Sequence, residues 1–74
     1  MVGQKPVHKE IKNDVSASVW ENEGKTGKFH TVSLQRSYKD SAGKWNNTAT
    51  FRAKDLSDVV EILDKVKLWI ATKE

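Results

Sequence analysis

Three stretches of the chain alternate between apolar and polar residues with a period of two, a pattern that predicts half-buried β-strands. These stretches are residues 15–20, 29–39 and 45–54. From the parity of the apolar positions, we expect the core-facing residues to be Val15, Ala17, Val19, Val32, Leu34, Ala49 and Phe51. Tyr38 and Trp45 share this parity, so core packing is the first interpretation for both. Each also flanks a turn, from which its ring can reach a ligand.

Turn signals separate the three predicted strands. Gly24 and Gly27 mark residues 21–28 as a loop. Asp40 and Gly43 form a stronger signal, because aspartate at the start of a turn accepts hydrogen bonds from backbone amides and glycine supplies a positive φ. Connections this short predict that consecutive strands pair in antiparallel fashion.

Residues 56–72 carry apolar side chains at helical spacing. The repeating positions are Leu56, Val59, Leu63, Val66 and Ile70. Asp55 precedes them as a good N-cap residue, and Asp58 adds a negative charge where the helix dipole favours one. The predicted fold class is therefore α+β: an antiparallel sheet of three to four strands followed by one C-terminal helix packed on one face (β-β-β-α).

Residues 1–14 are polar and contain only scattered apolar side chains. We interpret them as a flexible arm that precedes a single domain at residues 15–74. The arm either has no role or contacts phosphates through its lysines, which are Lys5, Lys9 and Lys12. The alternative is a short fourth strand around residues 7–11.

The sign of the charge changes along the chain. Residues 25–54 hold seven basic residues and one acid, Asp40, whereas residues 55–74 hold five acids and three lysines. The predicted sheet is therefore positive and polar, while the predicted helix carries the apolar stripe and the negative charge. A positive sheet that is open on one side suits a polyanion, and nucleic acid is the polyanion we expect.

The chain offers little for catalysis, metal binding or membrane insertion. It has no cysteine, which excludes disulfides and thiolate metal sites and fits a reducing cytoplasm. Neither His8 nor His30 has a carboxylate or a second histidine at ligand spacing. No apolar run approaches the roughly 20 residues that span a bilayer. We therefore expect a cytoplasmic, nucleoid-associated protein that is not an enzyme and has no cofactor, metal or small-molecule substrate.

The outward face of the predicted sheet combines cations, hydroxyl and amide groups, and aromatic rings, and it lacks acids across the strand centres. Single-stranded nucleic acid needs this mixture, because phosphates bind cations and unpaired bases stack on rings. We expect Trp20 and Phe29 to stack on bases; alternatively, they cap the sheet edge or are covered by the arm. The expected nucleic-acid-binding residues are Trp20, Lys25, Lys28, Phe29, Thr31, Ser33, Gln35, Tyr38, Lys39, Lys44, Trp45, Thr50, Arg52 and Lys54.

The predicted helix is more apolar than contact with one sheet face requires. The residues outside its main stripe include Val60, Ile62, Leu68 and Trp69. A wide apolar arc on a small domain indicates a second contact, so we expect a two-fold homodimer with crossing helices. The expected dimer interface is Ile62, Val66, Trp69 and Ile70. The alternative is that the domain itself encloses more of the helix.

Residues 15 to about 70 resemble the single-stranded DNA-binding domain of the transcriptional coactivator positive cofactor four and its microbial relatives. Ser18-Val19-Trp20 is similar to the first strand of that family, which ends in an aromatic residue. Residues 32–45 (VSLQRSYKDSAGKW) are similar to its alternating strand, Asp-x-x-Gly turn and return strand. The resemblance implies a curved antiparallel sheet that binds unwound DNA and a dimer formed through the helices.

The same resemblance implies roles for particular residues. Trp20 takes the stacking role of the family, and Tyr38 matches an aromatic residue near the end of the second strand. The basic residues that match by region are Lys39, Lys44, Arg52 and Lys54. Two positions differ from the family pattern: Gln35 stands where arginine is usual, and Ala49-Thr50-Phe51 replaces a basic-glycine step.

Two alternatives compete with this interpretation. The arm-binding domain of tyrosine recombinases also has three strands and a helix, and Gly27-Lys28-Phe29 and residues 38–45 (YKDSAGKW) resemble its motifs. That domain inserts its sheet into the major groove of duplex DNA. The second alternative is a protein-interaction module whose apolar helix docks on a larger assembly. The expected function remains binding of single-stranded DNA with low sequence specificity in transcription, replication or repair, with RNA as an alternative ligand.

Overall fold

The computed structural model describes residues 5–74. One antiparallel sheet in the order β1-β2-β3-β4 precedes a C-terminal helix, which confirms the predicted α+β fold class with four strands. The elements are β1 (His8–Lys12), β2 (Val15–Gly24), β3 (Gly27–Lys39), β4 (Trp45–Thr48), a 3-10 turn (Ala53–Asp55) and α1 (Leu56–Ala71). Each strand pairs with its neighbour in sequence, as expected from the short connections.

Residues 8–12 form the edge strand β1 and are not part of a flexible arm. The turn after β1 contains only two residues, Asn13 and Asp14. Asn13 has a φ of 53°, a left-handed conformation that such hairpin turns use and that asparagine tolerates. The arm interpretation is therefore corrected for this segment, and the alternative of a fourth strand is what the structure shows. Residues 1–4 of the expected arm lie outside the described residues.

The hairpin of β2 and β3 extends into the predicted loop. Gly24 pairs with Gly27 around a two-residue turn, so most of residues 21–28 belongs to strands. Gly27 has a φ of 128°, which side chains with a β-carbon rarely adopt, and this explains the glycine at the end of the turn. The long hairpin contributes to an extended, thin molecule with principal dimensions of 46 × 30 × 15 Å.

β4 is shorter than predicted, and its faces are the reverse of those expected. It ends at Thr48, and Trp45 pairs with Lys39. Directly paired residues point to the same side of a sheet, so Trp45 lies with Lys39 on the side away from α1. The predicted inward orientation of Trp45 is therefore wrong. Phe51 still packs against the core because the strand has ended before it, whereas Ala49 is exposed.

The core lies between α1 and β2. Val15, Ala17 and Val19 are fully buried, and they pack with Ile62 and Val66 of α1. These two helix residues are 1% and 2% exposed, so they serve the core of their own chain and offer no surface to a second one. The expected dimer interface is corrected accordingly. Its other members, Trp69 and Ile70, are partly buried against the same core.

α1 is held over one edge of the sheet. Lys12 Nζ lies 2.6 Å from a carboxylate oxygen of Glu61, and Asn13 Nδ2 donates to Asp58 Oδ2 at 3.0 Å. These contacts join one flank of the helix to β1 and its turn. The main contacts of α1 with the sheet are with β1 and β2, and Leu56 and Val60 are exposed. The α1 side of β3 and β4 is consequently more open than that of β1 and β2.

Asp55 precedes α1, but its side chain makes no capping hydrogen bond to the helix, which corrects its expected role. The residue is 5% exposed. Its carboxylate accepts hydrogen bonds from the backbone N–H and from Nε of Arg52, at 2.9 and 3.0 Å. Arg36 Nε lies 3.6 Å from the same oxygen. The hydrogen bond from the Arg52 side chain, aided by both positive charges, holds the pKa of Asp55 below its usual range.

Candidate nucleic-acid interface

The side of the sheet opposite α1, which we call the outer face, is defined by strand alternation and register. Residues paired with one another share a side, and the buried Val15, Ala17 and Val19 identify the other side as the inner one. The outer face comprises Lys9, Ile11, Ser16, Ser18, Trp20, Asn22, Phe29, Thr31, Ser33, Gln35, Ser37, Lys39, Trp45 and Asn47.

Acidic side chains are segregated to the inner side. Glu10, Glu21 and Glu23 have the same parity as the buried valines. Glu10 Oε2 lies 2.6 Å from His8 Nε2, and Glu21 Oε1 lies 3.6 Å from Lys28 Nζ. Among the strand residues that the structure describes, none on the outer face carries a negative charge. A phosphate chain laid along this face therefore meets no carboxylate between its ends.

Two aromatic side chains, Trp20 and Phe29, lie on the outer face towards the β2–β3 turn. Trp20 pairs with Thr31 and Phe29 pairs with Asn22, so the rings occupy diagonal positions on adjacent strands. Trp20 Nε1 donates a hydrogen bond to Ser33 Oγ at 3.1 Å, which fixes the indole across the strand pair. Phe29 is 46% exposed. Each ring offers a flat surface on the outer face on which a base can stack.

A third ring lies at the other end of β3. Trp45 is 65% exposed, and Lys39 Nζ lies 5.8 Å from the centre of its ring, within the range of a cation–π contact. The preceding turn is rigid, because Asp40 Oδ1 accepts hydrogen bonds from the backbone N–H groups of Ala42 and Lys44, both at 2.9 Å. The Lys44 bond is the main reason why the pKa of Asp40 is lowered. Its negative charge is thus compensated within the turn.

Between these two aromatic regions the outer face is polar but uncharged along β2, β3 and β4. Neighbouring side chains satisfy one another there. Asn22 Nδ2 donates to Thr31 Oγ1 at 3.1 Å, and Ser37 Oγ donates to Asn47 Oδ1 at 3.1 Å. Amides and hydroxyls can exchange such bonds for bonds to phosphate, sugar or base edges without burying a charge.

The structure brings together half of the predicted binding residues. Those on the outer face are Trp20, Phe29, Thr31, Ser33, Gln35, Lys39 and Trp45. Lys25 and Lys44 lie in the turns at opposite ends of β3 and are exposed. The other five predicted residues lie elsewhere: Lys28, Tyr38, Thr50, Arg52 and Lys54.

Each of these five departures has a structural reason. Lys28 and Tyr38 have inner parity, since they pair with Glu23 and Asn46. The residues after Thr48 are no longer in a strand, so alternation does not orient them. Two of them, Thr50 and Lys54, are exposed beyond the sheet, the latter in the 3-10 turn. The third, Arg52, is engaged by Asp55 and lies 3.8 Å from Asp14, so its guanidinium stabilises the fold.

The outer face also contains residues that the sequence prediction missed. The sequence predicts Asn22 in a loop and Asn47 on the inner side of its strand. It predicts Lys9 as a phosphate contact only within a flexible arm, not as a residue of the sheet. The Asn13-Asp14 pair was an available signal for a two-residue hairpin turn, and it would have placed Lys9 in a strand. No comparable signal fixes the side of Asn47, because that depends on the register of a longer turn.

Residues 5–74 hold no group of three or more histidine, cysteine, aspartate or glutamate side chains able to bind a metal ion. No helix within this part of the chain is long and apolar enough to cross a membrane. Comparisons with family models, curated proteins and solved structures found no match. The geometry of the outer face is therefore the basis for a functional proposal.

Proposed function

We propose that the outer face binds single-stranded DNA with low sequence specificity. The observation that carries this proposal is the segregation of groups by the sheet. The strand carboxylates all lie on the α1 side, whereas Trp20, Phe29 and Trp45 lie on the other side with uncharged donors around them. A polyanion with unpaired bases matches this face in both charge and chemistry.

Each group on or beside the outer face has a distinct part in this binding. Its lysines contact phosphates: Lys9 on β1, Lys39 at the end of β3, and Lys25 and Lys44 in the turns. The rings stack on bases, which contributes about 1–3 kcal/mol per base. Every base has a flat face, so stacking discriminates little between sequences. In a duplex the bases already stack on one another and are unavailable to these rings.

The resemblance to the positive cofactor four family supports the same ligand. The observed sheet followed by one helix is also the order of elements in that family. We propose accordingly that the protein acts on exposed single strands during transcription, replication or repair, in the cytoplasm near the nucleoid. RNA offers the same phosphates and unpaired bases and is the alternative ligand.

Fluorescence anisotropy with a labelled oligonucleotide of about 16 nucleotides, used as a single strand and as a duplex, tests the proposal. We expect tighter binding to the single strand, and Trp20→Leu should weaken it by about 5- to 150-fold. Leu68→Ala, on the exposed side of α1, is the control and should leave the affinity unchanged. Tighter binding to the duplex would favour the recombinase-type alternative. Absence of binding to either would favour a protein-interaction module.

We also propose that a second copy of the chain covers the apolar surface beside α1. Leu56 and Val60 of α1 are 54% and 60% exposed, and Val32, on the α1 side of β3, is 39% exposed. This surface is on the inner side of the sheet, so a dimer formed through it leaves both outer faces free. Sedimentation should show a dimer that Val60→Lys dissociates. A single 8.4 kDa species in the unmodified protein would contradict this proposal.

A further inference from the structure

The rings of the outer face are separated along β3. Phe29 lies near its start, and Trp45 pairs with Lys39 at its end. Ten residue steps lie between Phe29 and Lys39, which corresponds to about 34 Å in an extended strand. Trp20 lies nearer to Phe29 than to Trp45 along the sheet, because it pairs with Thr31, and its indole reaches Ser33. The face therefore has two rings towards one end and one ring at the other.

The side chains between these ends differ in kind from those at the ends. Thr31, Ser33, Gln35 and Ser37 follow one another along β3, and none is charged or aromatic. The lysines on the outer side of β3 and in its turns lie at the ends: Lys25 in the turn before Phe29, and Lys39 and Lys44 beside Trp45. Groups that can hold a base and a phosphate thus occur at both ends of β3, and the outer residues of β3 between them are neutral; Lys9 of β1 lies beside this middle part, in the row of Ser18 and Ser33.

We infer that the outer face has two separate stacking stations, and that a single strand must bridge both of them to bind tightly. Station one is Trp20 with Phe29, and station two is Trp45. This inference rests on the proposed function, because it describes how the same face holds its ligand. It adds a length requirement: short strands occupy one station at a time, whereas long strands occupy both.

The separation of the stations sets the length at which affinity rises. A strand stacked at 3.4 Å per nucleotide needs about ten nucleotides to cover this distance, and a stretched strand needs fewer. A longer strand that has already bound one station meets the second at a high effective concentration, so its affinity exceeds that of either station alone. The affinity should therefore rise sharply with length below about ten nucleotides and level off above it.

Calorimetric titration with oligothymidylates of about 4, 8, 12 and 16 nucleotides tests the inference. The shortest strand should bind weakly with two strands per chain, and the longest tightly with one. Trp45→Leu should reduce the number of shortest strands bound per chain from two to one. It should also weaken binding of the longest strand by about 5- to 150-fold. Trp45 is exposed, so the variant should fold, and a thermal melt verifies this.

Tyr38→Leu is the matched control, because it removes a ring close to Trp45 in sequence but on the inner side of the sheet. It should change neither stoichiometry nor affinity. If Trp45→Leu leaves both quantities unchanged while Trp20→Leu weakens binding, the face has a single station; the inference is then wrong and the proposed function stands. If the unmodified protein binds no oligothymidylate of any length, both are overturned.

Discussion

Asp55 connects the sheet to α1 through hydrogen bonds from Arg52 and the nearby charge of Arg36. Its pKa is lowered in the folded state, the Arg52 side chain being the main cause. A lowered pKa stabilises the fold at pH values above the unfolded value of about 3.9, and this contribution is lost as the pH falls through the lower, folded value. Asp55→Asn should therefore lower the melting temperature at pH 7, and by less at pH 3.

Thermal melts followed by circular dichroism at the two pH values measure this difference. The control is Asp64→Asn, which removes a carboxylate from an exposed position on α1. Asp40 also has a lowered pKa, chiefly because it accepts a hydrogen bond from the backbone N–H of Lys44. Both variants retain Asp40, so its contribution to the loss of stability at low pH is the same in each. An Asp55 variant that melts like the unmodified protein at pH 7 would show that the contact with Arg52 contributes nothing.

Single residues differ in how far their role can be predicted from sequence. The outward orientation of Trp20 and Phe29 follows from alternation within their own strands, and the structure agrees. The role of Arg52 does not follow, because its partner Asp55 lies after the strand has ended and contacts it through a local turn. Composition predicts a basic residue available to phosphate, whereas the geometry shows one that is already bound to a carboxylate.

Among the elements, β1 determines where the folded domain begins. His8 stacks on Trp69 of α1 with ring centres 4.5 Å apart and planes 9° apart. Lys12 contacts Glu61, so the strand is joined to the helix at both ends. Removal of residues 1–13 should therefore expose the edge of β2 and the apolar side of α1. We expect the truncated chain to lose cooperative thermal unfolding, because a small domain has little stability to spare.

Circular dichroism melts of the full and truncated chains measure this effect. Removal of residues 1–4 alone is the control, and it leaves β1 complete. If the chain without residues 1–13 unfolds as cooperatively and at the same temperature as the full chain, the segment contributes no stability, as expected for a flexible arm.

The order of elements could be predicted because each has its own period, two for the strands and 3.6 for the helix. The relative sides of β3 and β4 could not. The Asp40 turn pairs Lys39 with Trp45, and a turn one residue longer or shorter would turn Trp45 to the other side. The apolar Phe51 suggested the wrong parity because the chain leaves the strand before reaching it. The turn sets the register between two strands, and the periodicity within one strand carries no information about it.

The same limit applies to the helix as an element. Of the two residues of α1 that are buried deepest, Val66 belongs to the predicted apolar stripe, whereas Ile62 lies outside it; Leu56, the first residue of the stripe, is exposed. The reason is the position of α1 over β1 and β2, where Ile62 and Val66 meet the buried residues of β2. The sequence shows that the apolar arc is wide, but only the packing shows which part of it meets the sheet.

On the scale of the whole molecule, the two layers separate charge in a way that net charge does not express. The chain carries a formal charge of +3, while the outer face and its turns hold four lysines and the strand carboxylates lie behind the sheet. If DNA binds at the outer face, its affinity should therefore depend on which lysines are removed. If net charge alone governs binding, the affinity should depend only on how many lysines are removed.

The salt dependence of DNA affinity separates these two cases. Four phosphate contacts predict a log–log slope of about −2.8 on single strands, because each contact contributes about −0.7. Lys39→Ala with Lys44→Ala should reduce the slope to about −1.4. Lys54→Ala with Lys65→Ala removes the same charge from the 3-10 turn and from α1, and it should leave the slope unchanged. Equal slopes for the two double variants would mean that the DNA strand responds to the overall charge of the protein. That result would contradict the proposal that the outer face is the binding surface.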